Sequence, residues 1–162
     1  MNEEMINKRL QKEFPRMLKE IEQKMEAHDD LIREFQFLIR NEGPFSPIVD
    51  KLPYPVAFFK RNDVLCMANQ VLQKKSGIHS DDIAAEKINL LNRITNDNYS
   101  IFKAVEDVFL GEISMHRQLT YALEIFCKDD SHIVSDTYHS ALLFPVRDKE
   151  ENIPFGVILL MK

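Results

Sequence analysis

PVAFFKRNDVLCMANQVLQKKSGI, residues 55–78, is the stretch on which the reading of this chain turns. Val56 to Lys60 and Val64 to Ala68 are short apolar-rich runs separated by Arg61-Asn62-Asp63, the spacing of a tight β-hairpin. Asn69 then stands where an N-cap is needed and Gly77 where a left-handed residue ends a helix, so a two-turn helix is expected between them. Downstream, FPVRDKEENIPFGVILLMK (144–162) reads as a second hairpin. PVAFF and GVILLM are apolar without alternation, as strands covered on both faces are, whereas Tyr138 to Phe144 is mixed and Met115 to Leu119 more so. That ranking places the first and last strands side by side in the middle of one sheet.

Between the hairpins, Ser80 could cap a short helix through Glu86. Asn96-Asp97-Asn98 precedes a stronger helix with Phe102, Val105 and Phe109 on one face and Gly111 at its end. Ile113 to Phe126 reads as strand with an irregularity. Residues 1–42 differ from the rest: they are highly charged and free of glycine. Leu10, Phe14, Met17, Ile21, Met25, His28, Ile32, Phe35 and Ile39 step by three and four, the narrow stripe of a coiled-coil seam. Pro15 breaks the helix at Phe14, and a long helix is expected from Pro15 to Arg40, stopped by Gly43-Pro44. The stripe could pack on the domain's own sheet. A helix of about 25 residues spans roughly 37 Å, more than one face of a small domain, so part of it is expected to meet a second copy. Leu10, Phe14, Ile21, Met25, His28, Ile32, Phe35 and Ile39 are therefore the expected homodimer interface.

Composition narrows the function. The chain has 162 residues, 44% of them hydrophobic, which fits one domain with an appendage. No apolar run reaches membrane-spanning length and no signal peptide opens the sequence, so a cytoplasmic location without membrane contact is expected. A net charge of −5 with scattered Lys and Arg argues against nucleic acid. Cys66 and Cys127 suit buried thiols better than a disulfide framework, and the five histidines have no metal-ligand spacing. With four glycines there is no phosphate-cradling loop, and no nucleophile–base pair has recognisable context, so the chain is read as no enzyme.

Over residues 45–162 the sequence resembles a PAS domain. The similar features are Ala68-Asn69 before the Gln70-to-Ser76 helix, Ser76-Gly77-Ile78 closing it, and Phe109-Leu110-Gly111-Glu112 ending the long helix. Pro145-Val146-Arg147-Asp148 and Gly156-Val157 complete the set, while LTYALEIFCKDDSHIVSDT (119–137) departs from the family in length and irregularity. The resemblance implies an α+β fold: a five-stranded antiparallel sheet with short helices on one face enclosing a pocket, and a long helix before it. Residues 43–162 would be the PAS-like sensor domain and 1–42 a helical, coiled-coil-like segment that dimerises.

By similarity to that family's inner face, the pocket candidates are Phe59, Leu65 and Met67 (with Ala57) of the first hairpin, His139, Ala141 and Leu143 of the fourth strand, Ile158 of the last, and Phe102 and Val105 of the long helix. His139 is the pointed polar candidate, able to bond a ligand or simply a backbone carbonyl. The cofactor is unknown. Flavin photochemistry needs a Cys between Gly77 and Tyr99, haem an axial His between Asn98 and Leu110; neither is present, so both groups are disfavoured. His28-Asp29 lacks the context of a phospho-acceptor. The resemblance implies a signal-sensing module that binds a small molecule or a partner and signals through its dimerising helix. It would belong to a transcriptional or two-component regulator or act on a downstream partner. The competing reading is a ligand-free dimerisation scaffold with a filled core.

Overall fold

The computed structural model describes residues 7–13, 15, 16, 28–43, 46–93, 99–126 and 137–162. Helices α1 (His28–Glu42) and α2 (Pro47–Asp50) lead into strands β1 (Val56–Phe59) and β2 (Leu65–Ala68). Helices α3 (Gln70–Ser76), α4 (Ser80–Ala84) and α5 (Ser100–Asp107) follow, and then β3 (Ser114–His116), β4 (Ser140–Val146) and β5 (Phe155–Met161). The strands form one antiparallel sheet in the order β2-β1-β5-β4-β3. The first and last strands are central neighbours, as their unbroken apolar runs require: Val56 pairs with Leu159 and Phe59 with Gly156.

Local chemistry explains the boundaries. Lys60 N–H bonds the Val64 carbonyl at 2.9 Å across the hairpin, with Asp63 at φ +66°. Asn69 Oδ1 accepts from Leu72 N–H at 3.1 Å and Gly77 ends α3 at φ +78°, each in its expected role. After β3 the strand expected to run to Phe126 breaks, because Gln118 and Tyr121 adopt left-handed φ of +57° and +52°. Ala122–Ile125 coil into a 3₁₀ turn whose Leu123 and Ile125 plug the core.

Both sheet faces are covered. Inward, Ala57, Phe59, Ala141, Leu143 and Ile158 pack under α3, α4 and α5 and the Leu119–Phe126 connection. Outward, Val56, Phe58, Leu142, Phe144 and Leu159 pack under Leu31, Phe35, Leu38 and Ile39 of α1, with the Phe35 and Phe144 rings edge-to-face at 5.5 Å. The stripe of α1 thus finds its apolar partner in the chain's own sheet. Leu10, Phe35 and Ile39, expected at a dimer seam, are buried within one chain, and Ile32 is partly buried at the margin. Phe14, Ile21, Met25 and the His28 side chain lie outside the described residues. The helical residues 7–13 lie beside α1: Arg9 bonds the Glu34 carboxylate at 3.3 Å and Asn7 Nδ2 donates to Glu42 Oε1 at 2.6 Å. Of the helix expected from Pro15 to Arg40, residues 15, 16 and 28–40 are helical, and its middle lies outside the described residues.

Close packing at β5 gives a first prediction. A Cβ on Gly156 would stand 2.8 Å from Phe59 Cε2 and from Val108 Cγ1, between two fully buried side chains. Gly156→Ala should therefore cost about 1–3 kcal/mol of overpacking. Urea unfolding reads this as a lower midpoint at unchanged slope.

Candidate functional site

Six of the nine expected pocket residues come together. Phe59, Leu65, Val105, Ala141, Leu143 and Ile158 are all fully buried in the inner-face cluster, in contact with one another's layer rather than with solvent. Three do not join them. Met67 faces the opposite side, because the β1–β2 register slips between Phe58 and Phe59: Met67 pairs with Phe58 while Leu65 pairs with Phe59. Two residues that simple alternation puts on one face are thereby split across the sheet. Phe102 is only half-buried; its ring stacks on Tyr99 at 5.6 Å, and the core stripe of α5 is Ile101, Ala104 and Val105. His139 precedes β4 and is exposed, its Nδ1 3.1 Å from the Leu119 carbonyl. Tyr138 enters the core instead, where burial pushes its phenol above the usual tyrosine range.

A groove of about 430 Å³ opens at the outer edge of β2. Cys66, Met67 and Ala68 line it from the strand, Ser80, Ile83 and Ala84 from α4, and Asp50 and Gln73 complete it. Its polar groups are partly committed: Gln70 Nε2 donates to Asp50 Oδ2 at 2.7 Å and Gln73 Nε2 to the Ala68 carbonyl at 2.8 Å. The Cys66 thiol donates to the Phe58 carbonyl at 3.3 Å. Burial pushes that thiol up from 9.0 to about 11. A raised acid keeps its full native stabilisation below the unfolded value and loses it as pH climbs through the folded one, so the loss falls between about pH 9 and 11. In a Cys127→Ser background, iodoacetamide should accordingly alkylate Cys66 slowly at pH 8 and accelerate only toward pH 11. Rapid alkylation at pH 8 would show an activated thiol. The sequence carries no periodic signal for this groove, because α4 and α2 reach it only through the fold.

Met67 has a second contact set. It lines the groove and also belongs to the outer cluster that holds Leu31, Phe35, Leu38 and Ile39 of α1. At its C-terminal end α1 is tied to the β4–β5 turn: Gln36 Nε2 and Arg40 Nε donate to the Arg147 carbonyl at 2.7 and 3.1 Å. Arg40 Nη2 also reaches the Asp148 carbonyl and Glu151 Oε1 at 3.3 Å. Among the described residues no group of three His, Cys, Asp or Glu side chains could hold a metal ion. Nor, among them, is any helix long and apolar enough to cross a membrane.

No protein-family profile matches the chain, and no curated protein sequence does. Among solved structures it is similar to the sensory box sensor histidine kinase of Vibrio cholerae, at 8% identity over 82% of this chain and 95% of that one, TM-score 0.47. It is also similar to the PAS domain of a Desulfitobacterium hafniense protein (14% identity, 72% of this chain, 99% of that one, TM-score 0.46). A third is the PAS domain of Bordetella pertussis BvgS (10%, 71% and 78%, TM-score 0.41). With the sheet order β2-β1-β5-β4-β3 and its short helices between β2 and β3, the chain has the PAS-like fold.

Proposed function

We propose that this PAS-fold chain is a signal-sensing module: a small molecule or partner engages the β2-edge groove, and α1 relays the event. The observation that carries the reading is the double placement of Met67, in the groove lining and in the core beneath α1. A body filling the groove presses on Met67, a member of the buried cluster on which α1 packs, so the groove and α1 are linked through that cluster. Little energy is required. An input that prefers one position of α1 about 100-fold supplies roughly 2.7 kcal/mol. The role is binding and relay, without catalysis, and two copies would pair through the N-terminal segment. Native mass spectrometry tests the pairing: a dimer at micromolar concentration is expected, and a strict monomer contradicts it.

The relay is tested by filling the groove from within. Ala84 is exposed on α4, and Ala84→Phe places a ring in the groove without entering either core. Hydrogen exchange of the Leu31–Ile39 amides should then change severalfold, whereas Lys75→Phe, on exposed α3 surface, should leave it unchanged. Equal exchange in both variants would refute the relay and favour the scaffold reading. The full burial of Phe59, Leu65, Val105, Leu143 and Ile158 supports that second reading, since it leaves the inner face filled by side chains.

A further inference from the structure

From the chemistry of the groove lining we propose that its ligand is a small molecule with an apolar body and one cationic amine. This rests on the preceding choice of site and names the ligand class that site would take. The groove is lined by Met67, Ala68, Ile83 and Ala84, which offer apolar contact. At about 430 Å³ it is near the small end of ligand pockets, which run from about 300 to 1,000 Å³. Asp50 is its one charged lining residue among the described residues. Asp50 carries one hydrogen bond from Gln70, and a carboxylate has about four acceptor positions, so acceptor capacity remains. One N–H of the Gln73 amide bonds the Ala68 carbonyl, and its oxygen remains as an acceptor for a ligand. Among the described residues no Lys, Arg or His lines the groove. An anion would meet Asp50 with no cation to offset it, and a neutral apolar molecule would cover the carboxylate without replacing its water, which costs free energy. An ammonium group supplies the donors and the positive charge that the Asp50 carboxylate takes, while an apolar body covers Met67 and Ile83.

The test uses three probes of one shape: 2-phenylethylamine, 2-phenylethanol and 3-phenylpropanoate. They are titrated into the full chain while amide resonances are followed by NMR. The amine should shift Met67, Ala68, Ile83 and Ala84 and bind about tenfold more tightly than the alcohol, a difference of about 1.4 kcal/mol, with the carboxylate weakest. Asp50→Asn, which keeps an acceptor for Gln70, should bring amine and alcohol to equal affinity, and Ala84→Phe should abolish the groove shifts. Alcohol or carboxylate binding as well as the amine, shifts elsewhere, or no shift at millimolar probe would each overturn the ligand class. Amine binding with unchanged α1 exchange would uphold the ligand class and sink the relay. Absent amine binding, with α1 exchange still altered by Ala84→Phe, would do the reverse.

Discussion

Asn69→Ala lowers the stability of the domain by on the order of 4 kcal/mol, and Asn69→Asp lowers it by a comparable amount. Asn69 is fully buried and its side chain is used on both ends. Oδ1 accepts from Val56 N–H and Leu72 N–H, each at 3.1 Å, joining the start of β1 to the cap of α3. Nδ2 is placed to donate to the carbonyls of Tyr54, Val49 and Leu52 at 2.8, 3.3 and 3.4 Å, which draws α2 and the segment after it against the sheet. Alanine removes the cap, worth about 1 kcal/mol, and strands several buried backbone groups, each costing about 1–3 kcal/mol before relaxation. Aspartate separates the two roles. It caps helices as well as asparagine does, but here it turns an acceptor toward three carbonyls and buries a charge. Urea denaturation of both variants gives the answer. Near-native stability of Asn69→Asp would mean that only the cap matters and that the links to α2 contribute nothing.

Phe35→Ala should cost about 3–5 kcal/mol, and Phe35→Glu should leave the chain largely unfolded or with α1 detached. Phe35 is fully buried, its ring against Phe144 of β4 and among Leu31, Leu38 and Leu142, so truncation opens a cavity in the outer core. Glutamate there is a desolvated charge among these apolar neighbours. As a seam residue it would behave differently: Glu would separate two copies and leave the sheet domain folded. Phe37 is the control. It is 40% exposed on the same helix, and Phe37→Glu should change stability within about 0.5 kcal/mol. Thermal unfolding of the three variants, with the oligomeric state followed alongside, separates the two accounts. Intact melting of Phe35→Glu would put the ring outside the core.

The particular residues show where sequence is informative. The central position of β1 and β5 was legible because strands covered on two faces cannot afford polar alternation, and Val56–Phe59 and Val157–Met161 have none. Asn69 and Gly77 were legible because a cap and a left-handed stop need those side chains. Met67 was misplaced because the register slip at Phe58 depends on pairing across the hairpin, which alternation along one strand does not encode. His139 and Phe102 failed for a related reason: both depend on where an element begins. β4 starts at Ser140, and the inward stripe of α5 runs through Ile101. The N-terminal stripe had the right period and an open choice of partner, since a sheet and a second helix select the same spacing. The groove, assembled from α2, β2, α3 and α4, left no linear trace.

The claim on which the rest depends is that α1 lies on the outer face of its own sheet. Contacts between the Phe35 and Phe144 rings, measured by nuclear Overhauser effects in a sample of isotope-labelled chains diluted into unlabelled ones, test it most directly. The structure predicts that these contacts persist undiminished within each labelled chain on dilution. Their disappearance on dilution, or their appearance only between labelled and unlabelled copies, would place α1 on a partner and contradict the account.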